Sequence, residues 1–270
     1  KLDGEICIRP ICGWGFYMDI KLIIAAHKKY QMPSDKMYLP VQVGAKGKDS
    51  IGYQRDDEND NISSKNPNYC ELTGLYWAWK NLDCSHLGLA HYRRHFKGSA
   101  APFGILSGPE AQKLLEKSDV ILPKKQHYVI ETIYSHYQHT HYEQDIKKTR
   151  RIIQKLYPDY LPAFDKHMKE RSSHMFNMFI MKKELADQYC EFLFGVLKAL
   201  EKEIDVSQYD GFQARVFGRI GEILLDVWLD KNNISYTEVP LIYTEKINWG
   251  KKAAAFLKAK FFHQRYKGSF

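Results

Sequence analysis

Residues 59–96 read NDNISSKNPNYCELTGLYWAWKNLDCSHLGLAHYRRHF. They run from a polar Asp-Asn loop through an aromatic helix and a short apolar strand into a basic His-Tyr-Arg-Arg end. Few folds accept that order in so short a span. In an open α/β sheet, loop, helix and strand alternate, and ligands sit outside the carboxyl ends of the strands, where loops carry chemistry without disturbing the core.

The flanking sequence extends the alternation. Residues 20–26 form an apolar run ending in His27-Lys28-Lys29, the pattern of a buried first strand opening into a loop. Residues 37–43 predict a second strand, with Pro40 marking an edge or irregular position. Residues 44–64 are polar and charged, the pattern of a solvated loop or a lid. Leu72, Leu75, Tyr76 and Trp79 share one helical face within residues 69–81, and Asn66-Pro67 predicts a capped start to that helix. A strand over 86–90, a helix over 110–117 and a strand over 118–122 follow. This alternation predicts an α/β fold with a mostly parallel sheet flanked by helices.

The second half changes character. Residues 131–142 (ETIYSHYQHTHY) are rich in His and Tyr, and a helix is expected over 145–156. A strand over 175–181 leads into two long helices, over 183–203 and 208–231, giving a helical C-terminal part. One or two short strands over 234–243 close the body.

A chain of 270 residues, 44% hydrophobic and 14% aromatic, has the material for a packed core and is not a disordered chain. The net charge of +8 would suggest nucleic acid, but it is unevenly placed. Residues 246–270 hold seven Lys and Arg and no acid, so the rest is close to neutral. With no RNA- or DNA-binding motif, nucleic acid is not an expected partner. The tail interleaves Phe256, Leu257, Phe261 and Phe262 with lysines, the composition of a basic amphipathic helix on an anionic membrane surface. Five scattered cysteines without metal-ligand spacing indicate reduced thiols and a cytoplasmic setting. Residues 1–17 lack periodicity and are expected to be a vector-derived leader, with residues 18–245 forming a single domain.

Several constellations carry chemistry. Arg93 and Arg94, at the end of the strand that holds Leu87-Gly88-Leu89-Ala90, can neutralise a diphosphate through bidentate guanidinium bonds. Asp60-Asn61, Glu71 and Thr73 can hydrogen-bond a ribose or base edge, and Asp56, Asp57 and Asp60 could hold Mg²⁺ or Mn²⁺ through oxygen ligands. The same residues also suit turns and a solvated surface. His136, His139 and His141 suit a polar, ring-lined acceptor groove or individually satisfied loop histidines. Asp210 is a candidate general base, although an N-terminal helix cap has the same signature. Glu222, with Arg215 and Arg219 on the same helical face, is either a catalytic acid held by arginines or an ion-pair ladder, with the ladder slightly favoured.

Several words together resemble a bacterial family first catalogued as domain of unknown function 4422, found among capsular and exopolysaccharide biosynthesis proteins. They are Asp60-Asn61-Ile62-Ser63, Lys65-Asn66-Pro67, Tyr69 through Asn81, Gly88-Leu89-Ala90-His91-Tyr92-Arg93-Arg94, Ile121-Leu122-Pro123-Lys124-Lys125, Asn177-Met178-Phe179-Ile180-Met181 and Gln213-Ala214-Arg215-Val216-Phe217-Gly218. The resemblance implies a GT-A-like glycosyltransferase using a UDP-sugar, some relatives being associated with galactofuranose transfer. Where the usual GT-A fold carries an Asp-x-Asp metal motif, this chain has His91-Tyr92-Arg93-Arg94. The expected donor site comprises His27, Asp60, Asn61, Asn66, Glu71, Thr73, His91, Tyr92, Arg93 and Arg94. The expected acceptor site comprises Tyr134, His136, His139, His141 and Asn177, with Asp210 and Glu222 as catalytic carboxylates. The implied acceptor is a polyprenyl-diphosphate-linked glycan at the inner face of the plasma membrane. A non-catalytic nucleotide-sugar- or glycan-binding protein on the same fold is the alternative.

Overall fold

The structure, a computed structural model, describes residues 18–99 and 104–245. The expected leader (1–17) and basic tail (246–270) lie outside the described residues. The chain enters on β1 (Ile20–Ala26), then forms β2 (Tyr38–Gln42), the short β3 (Gln54–Arg55), α1 (Asn66–Tyr69) and α2 (Leu72–Asn81). β4 (His86–His91) and β5 (Arg94–Phe96) make a hairpin, followed by α3 (Gly108–Leu115), β6 (Val120–Pro123) and β7 (Gln126–His127). Next come α4 (Ile133–Thr140), α5 (Glu143–Leu156), α6 (Leu161–His167), β8 (Ser172–Ser173) and β9 (Phe179–Lys182). The long helices α7 (Lys183–Glu201) and α8 (Val216–Lys231) precede β10 (Tyr236–Val239) and β11 (Leu241–Tyr243).

The main sheet has the order β10-β6-β9-β4-β1-β2-β3, with β5 on β4 and β11 on β5. β1 pairs in parallel with both β2 and β4, and β10 with β6, whereas β9 runs antiparallel to both β4 and β6. The alternation of β1 explains the layering. Leu22, Ile24 and Ala26 face a smaller core shared with α3, while Ile23 and Ala25 face a larger one beneath α2, α5, α7 and α8. Both faces are covered, so from Leu22 to Ala26 the strand reads as unbroken hydrophobicity. Gly88 leaves room at the centre, since a Cβ there would meet Leu22 Cδ1 and the Phe179 carbonyl oxygen at 2.7 Å.

Some expectations need correction. The strand expected over 175–181 begins only at Phe179, and its direction is reversed. The helix expected over 208–231 begins at Val216, after short 3₁₀ turns over Val206–Gln208 and Gln213–Arg215. The helix expected over 69–81 is split at Cys70, whose φ of 55° cannot continue an α-helix. Asn66 does not cap a helix; its amide donates to the Cys70 carbonyl and to Thr73 Oγ1. Residues 133–140 of the His-Tyr stretch are helical. Among the described residues no helix is long and apolar enough to cross a membrane.

The acidic run 56–60 does not behave as one solvated patch. Asp56 is fully buried and accepts from Gly44 N, Ala45 N, Ser63 Oγ and Thr73 Oγ1 at 2.5 to 2.9 Å. Asp57 pairs with Arg55 at 2.8 Å, and Asp60 accepts from Tyr76. Asp56 thus ties the end of β2 and the 44–64 loop to the first turn of α2. Asp56→Ala would leave four donors without their acceptor. A loss of about 3 kcal/mol or more is expected, read from the urea midpoint.

Candidate active site

Strand order reverses at β1, which has β2 on one side and β4 on the other. The carboxyl ends of β1 and β4 therefore border a switch-point crevice, the usual ligand site of an open α/β sheet. β4 ends at His91, the chain reverses through Tyr92 and Arg93, and Arg94 pairs back to His91. β11 then lies on the outside, with Tyr243 opposite Arg94.

The buried Tyr92 ring organises this corner. His27 packs on it edge-on at 5.0 Å, with Nε2 3.3 Å from the phenol oxygen, and His91 lies 4.5 Å away. Lys28 Nζ and the Arg93 guanidinium are 5.2 and 5.6 Å from the ring centre. Arg94 lies over the Phe176 ring at 3.9 Å, with Tyr243 at 5.8 Å. The Nε–H groups of Arg93 and Arg94 are buried and have no acceptor among the described residues. Buried donors without partners are costly and call for an explanation, which an anionic ligand supplies. Burial, reinforced by the charges of Arg93 and Arg94, depresses the His91 pKa to about 2. His91 is therefore neutral, and its Nδ1 accepts the Arg93 N–H at 3.2 Å. Burial and then Arg93 also lower His27. At neutral pH the positive charge here comes from the arginines and Lys28.

Two carboxylates stand across from the arginines. Glu71 Oε1 accepts from Asn177 Nδ2 at 2.7 Å, and the same amide reaches the Gly218 carbonyl at 3.0 Å. Glu222, on α8, has its pKa pushed up to about 7 by burial and then by the Glu71 charge, against the opposing pull of Arg94, Arg219 and the Phe176 N–H. Within the expected ion-pair ladder, each arginine also has partners of its own. Arg219 donates to the carbonyls of Gln213 and Phe212, and Arg215 Nε donates to Cys70 Sγ at 3.1 Å. Arg94 and Arg219 act on Glu222 through space.

The remaining expected site residues divide into four groups. Asp60 and Asn61 are held elsewhere: Asp60 lies along α2 against Tyr76 and Asn81, and Asn61 makes a local turn with Asn59 and Ser63. Asn66 and Thr73 are spent on the Asp56 knot. On α4, His136 and His139 both bond buried Glu131, while Tyr134 bonds Glu143. The two imidazoles hold the Glu131 carboxyl below its usual range despite burial, which acts the other way. His141 Nδ1 meets Gln213 Oε1 at 2.9 Å, joining the end of α4 to the turn before α8. Asp210 is exposed, and its Oδ1 accepts from Phe212 N and Gln213 N. That is the capping role, taken at the 3₁₀ turn rather than at the first turn of the long helix. Phe176 and Tyr243, which flank Arg94, carried no sequence signal, being ordinary aromatics in short apolar runs.

Residues 21–233 match the model of a family described as DUF4422, domain of unknown function. The chain belongs to the DUF4422 family. No curated protein matches it. Among solved structures, the apo structure of WbbM, described as a bifunctional glycosyltransferase, is 29% identical with a TM-score of 0.78. The match covers 84% of this chain and 46% of that one. The DUF4422 chain thus has the expected GT-A-like fold, a mostly parallel central sheet flanked by helices.

GT-A folds commonly hold a divalent cation at the strand end that β4 supplies. In this DUF4422 protein the residues there do not fit one. His91, Arg93 and Arg94 present two guanidiniums with unmet donors, a set suited to an anion. Among the described residues no group of three or more His, Cys, Asp or Glu is placed to hold a metal ion.

The raised Glu222 pKa has a signed consequence for stability. A carboxyl that holds its proton more tightly when folded favours folding at low pH. That contribution disappears as pH rises from about 4.5 through about 7. Glu222→Gln is therefore expected to equal the parent below pH 4.5 and to exceed it by about 1–3 kcal/mol at pH 8, measured by urea unfolding at both values.

Proposed function

We propose that this DUF4422 chain is a glycosyltransferase that moves a hexose from a UDP-sugar to a lipid-linked glycan acceptor, in capsular, exopolysaccharide or O-antigen synthesis. Galactofuranose and galactopyranose are the favoured sugars. The observation that carries the proposal is the pair of adjacent guanidiniums, each with a buried unpaired Nε–H, at the carboxyl end of β4. A diphosphate supplies the missing acceptors, and it is the leaving group of a nucleotide-sugar reaction.

In this reading His27, Glu71, His91 and Tyr92 border the donor, and Arg93 and Arg94 stabilise charge on the departing UDP. The acceptor hydroxyl attacks the anomeric carbon, the carbon–oxygen bond to the diphosphate breaks, and the hydroxyl proton passes to a carboxylate. Glu222 fits that role better than Asp210, since a carboxyl tuned to about 7 is matched to proton transfer at neutral pH. Asp210 keeps its cap. The acceptor enters past the rim of α4, where Tyr134, His136, His139 and His141 stand, and the basic segment 246–270 holds the enzyme to an anionic bilayer on the cytoplasmic side.

Calorimetry with UDP, UDP-galactopyranose and UDP-galactofuranose, with Mn²⁺ and with EDTA, tests the donor site. Binding is expected to survive EDTA and to weaken roughly 10- to 100-fold in Arg94→Ala. Glu222→Gln is expected to lower turnover about 10²- to 10⁴-fold while leaving UDP affinity within a few-fold. Binding that requires Mn²⁺ would overturn the arginine assignment. Tight UDP-sugar binding with neither transfer nor hydrolysis would make the protein a nucleotide-sugar-binding module.

A further inference from the structure

Two consecutive residues ahead of β9, Phe176 and Asn177, adopt left-handed backbone with φ of 76° and 54°. Asparagine tolerates that region, but a bulky aromatic there is an outlier. Strained backbone persists only where its surroundings over-determine it, and it concentrates at functional sites.

Three contacts leave this corner, each to a different part of the site. The Phe176 ring lies against the Arg94 guanidinium at 3.9 Å. The Phe176 backbone N–H reaches the Glu222 carboxylate. Asn177 Nδ2 donates to Glu71 Oε1 at 2.7 Å and to the Gly218 carbonyl at 3.0 Å. Asn177 Oδ1 is buried without a partner and fills the space beside Gly221, where a Cβ would come within 2.9 Å of it. The corner thus touches the cation over the proposed leaving group and both carboxylates.

We infer that Phe176 and Asn177 form the positioning corner of the site, setting the separation between the guanidinium that meets the diphosphate and the carboxylate that takes the acceptor proton. This rests on the donor and base roles proposed above. The charged and titratable groups facing Glu222 are Glu71 ahead of α2, Arg94 on β5, Arg215 and Arg219 at the start of α8, and Tyr189 on α7. The corner holds the acid and the strand-end cation of that set.

The test compares the parent with Asn177→Ala, Asn177→Asp and Phe176→Leu by UDP calorimetry and by initial rates from about pH 5 to 9, with circular dichroism melts as a check on folding. Asn177→Asp places a further acid beside Glu71, so the acid limb of the kcat profile is expected to move up by about one pH unit. Asn177→Ala is expected to lower kcat roughly 10- to 100-fold with UDP affinity within about threefold. Phe176→Leu removes the ring from Arg94 and is expected to weaken UDP roughly 3- to 30-fold without moving the pH profile. Should Phe176→Leu not fold, the two Asn177 variants decide. An acid limb that does not move in Asn177→Asp, or no loss in any variant, overturns the inference. If the parent transfers sugar while the variants behave in either of those ways, only the corner assignment falls. If the parent fails to bind UDP, the donor reading falls and this inference with it.

Discussion

The site depends on a backbone reversal of two residues. A strand that simply continued past His91 would carry its arginines into bulk water, where a guanidinium is well solvated and of little use. Because the chain turns at Tyr92 and Arg93, and β11 closes over β5, the guanidiniums stay against aromatic rings and beside each other. Burial and the neighbouring Arg93 both lower the Arg94 pKa, so the arrangement costs free energy. An anion would offset that cost, and the partly desolvated surround would strengthen its attraction.

The carboxylates show the same economy with opposite sign. Glu71 and Glu222 are close enough that the charge of one raises the pKa of the other, and the arginines compensate only in part. Around them the framework is firmly satisfied. Asp56 accepts four hydrogen bonds, and buried Asp226 accepts from Ser173 Oγ, His174 N and the His174 ring. Fully paired buried groups such as these rigidify a fold. Arg93 and Arg94, by contrast, keep buried Nε–H groups without acceptors at the strand end.

Much of this was legible in the sequence. The apolar runs of β1 and β4 and the Arg93-Arg94 ending are local signals, and a buried parallel strand announces itself by continuous hydrophobicity. The direction of β9 was not legible, because Met178-Phe179-Ile180-Met181 reads the same whichever way it is threaded. The late start of α8 was hidden because two short 3₁₀ turns, Val206–Gln208 and Gln213–Arg215, precede it and differ little from a helix in sequence. Asp56 looked solvated within a run of acids, whereas its four partners come from three separate segments. Glu222 looked paired because helical spacing places Arg215 and Arg219 nearby; where those guanidiniums donate is a tertiary fact. The corner at Phe176 and Asn177 lacked the glycine that would have marked a left-handed turn.

The antiparallel insertion of β9 also bears on the order in which the site is assembled. β9 must pass between β4 and β6, strands that precede it by many residues, and such non-local pairing is slow to form. Arg94, Glu71, Phe176 and Glu222 come from four segments spread over most of the domain. A chain emerging from the ribosome can assemble β1, β2 and β4 early, yet it has no complete anion-and-acid pair until α8 has been made and packed. Chains that stop short of α8 therefore carry Arg93 and Arg94 without Glu222 and without the β11 strand that closes their corner.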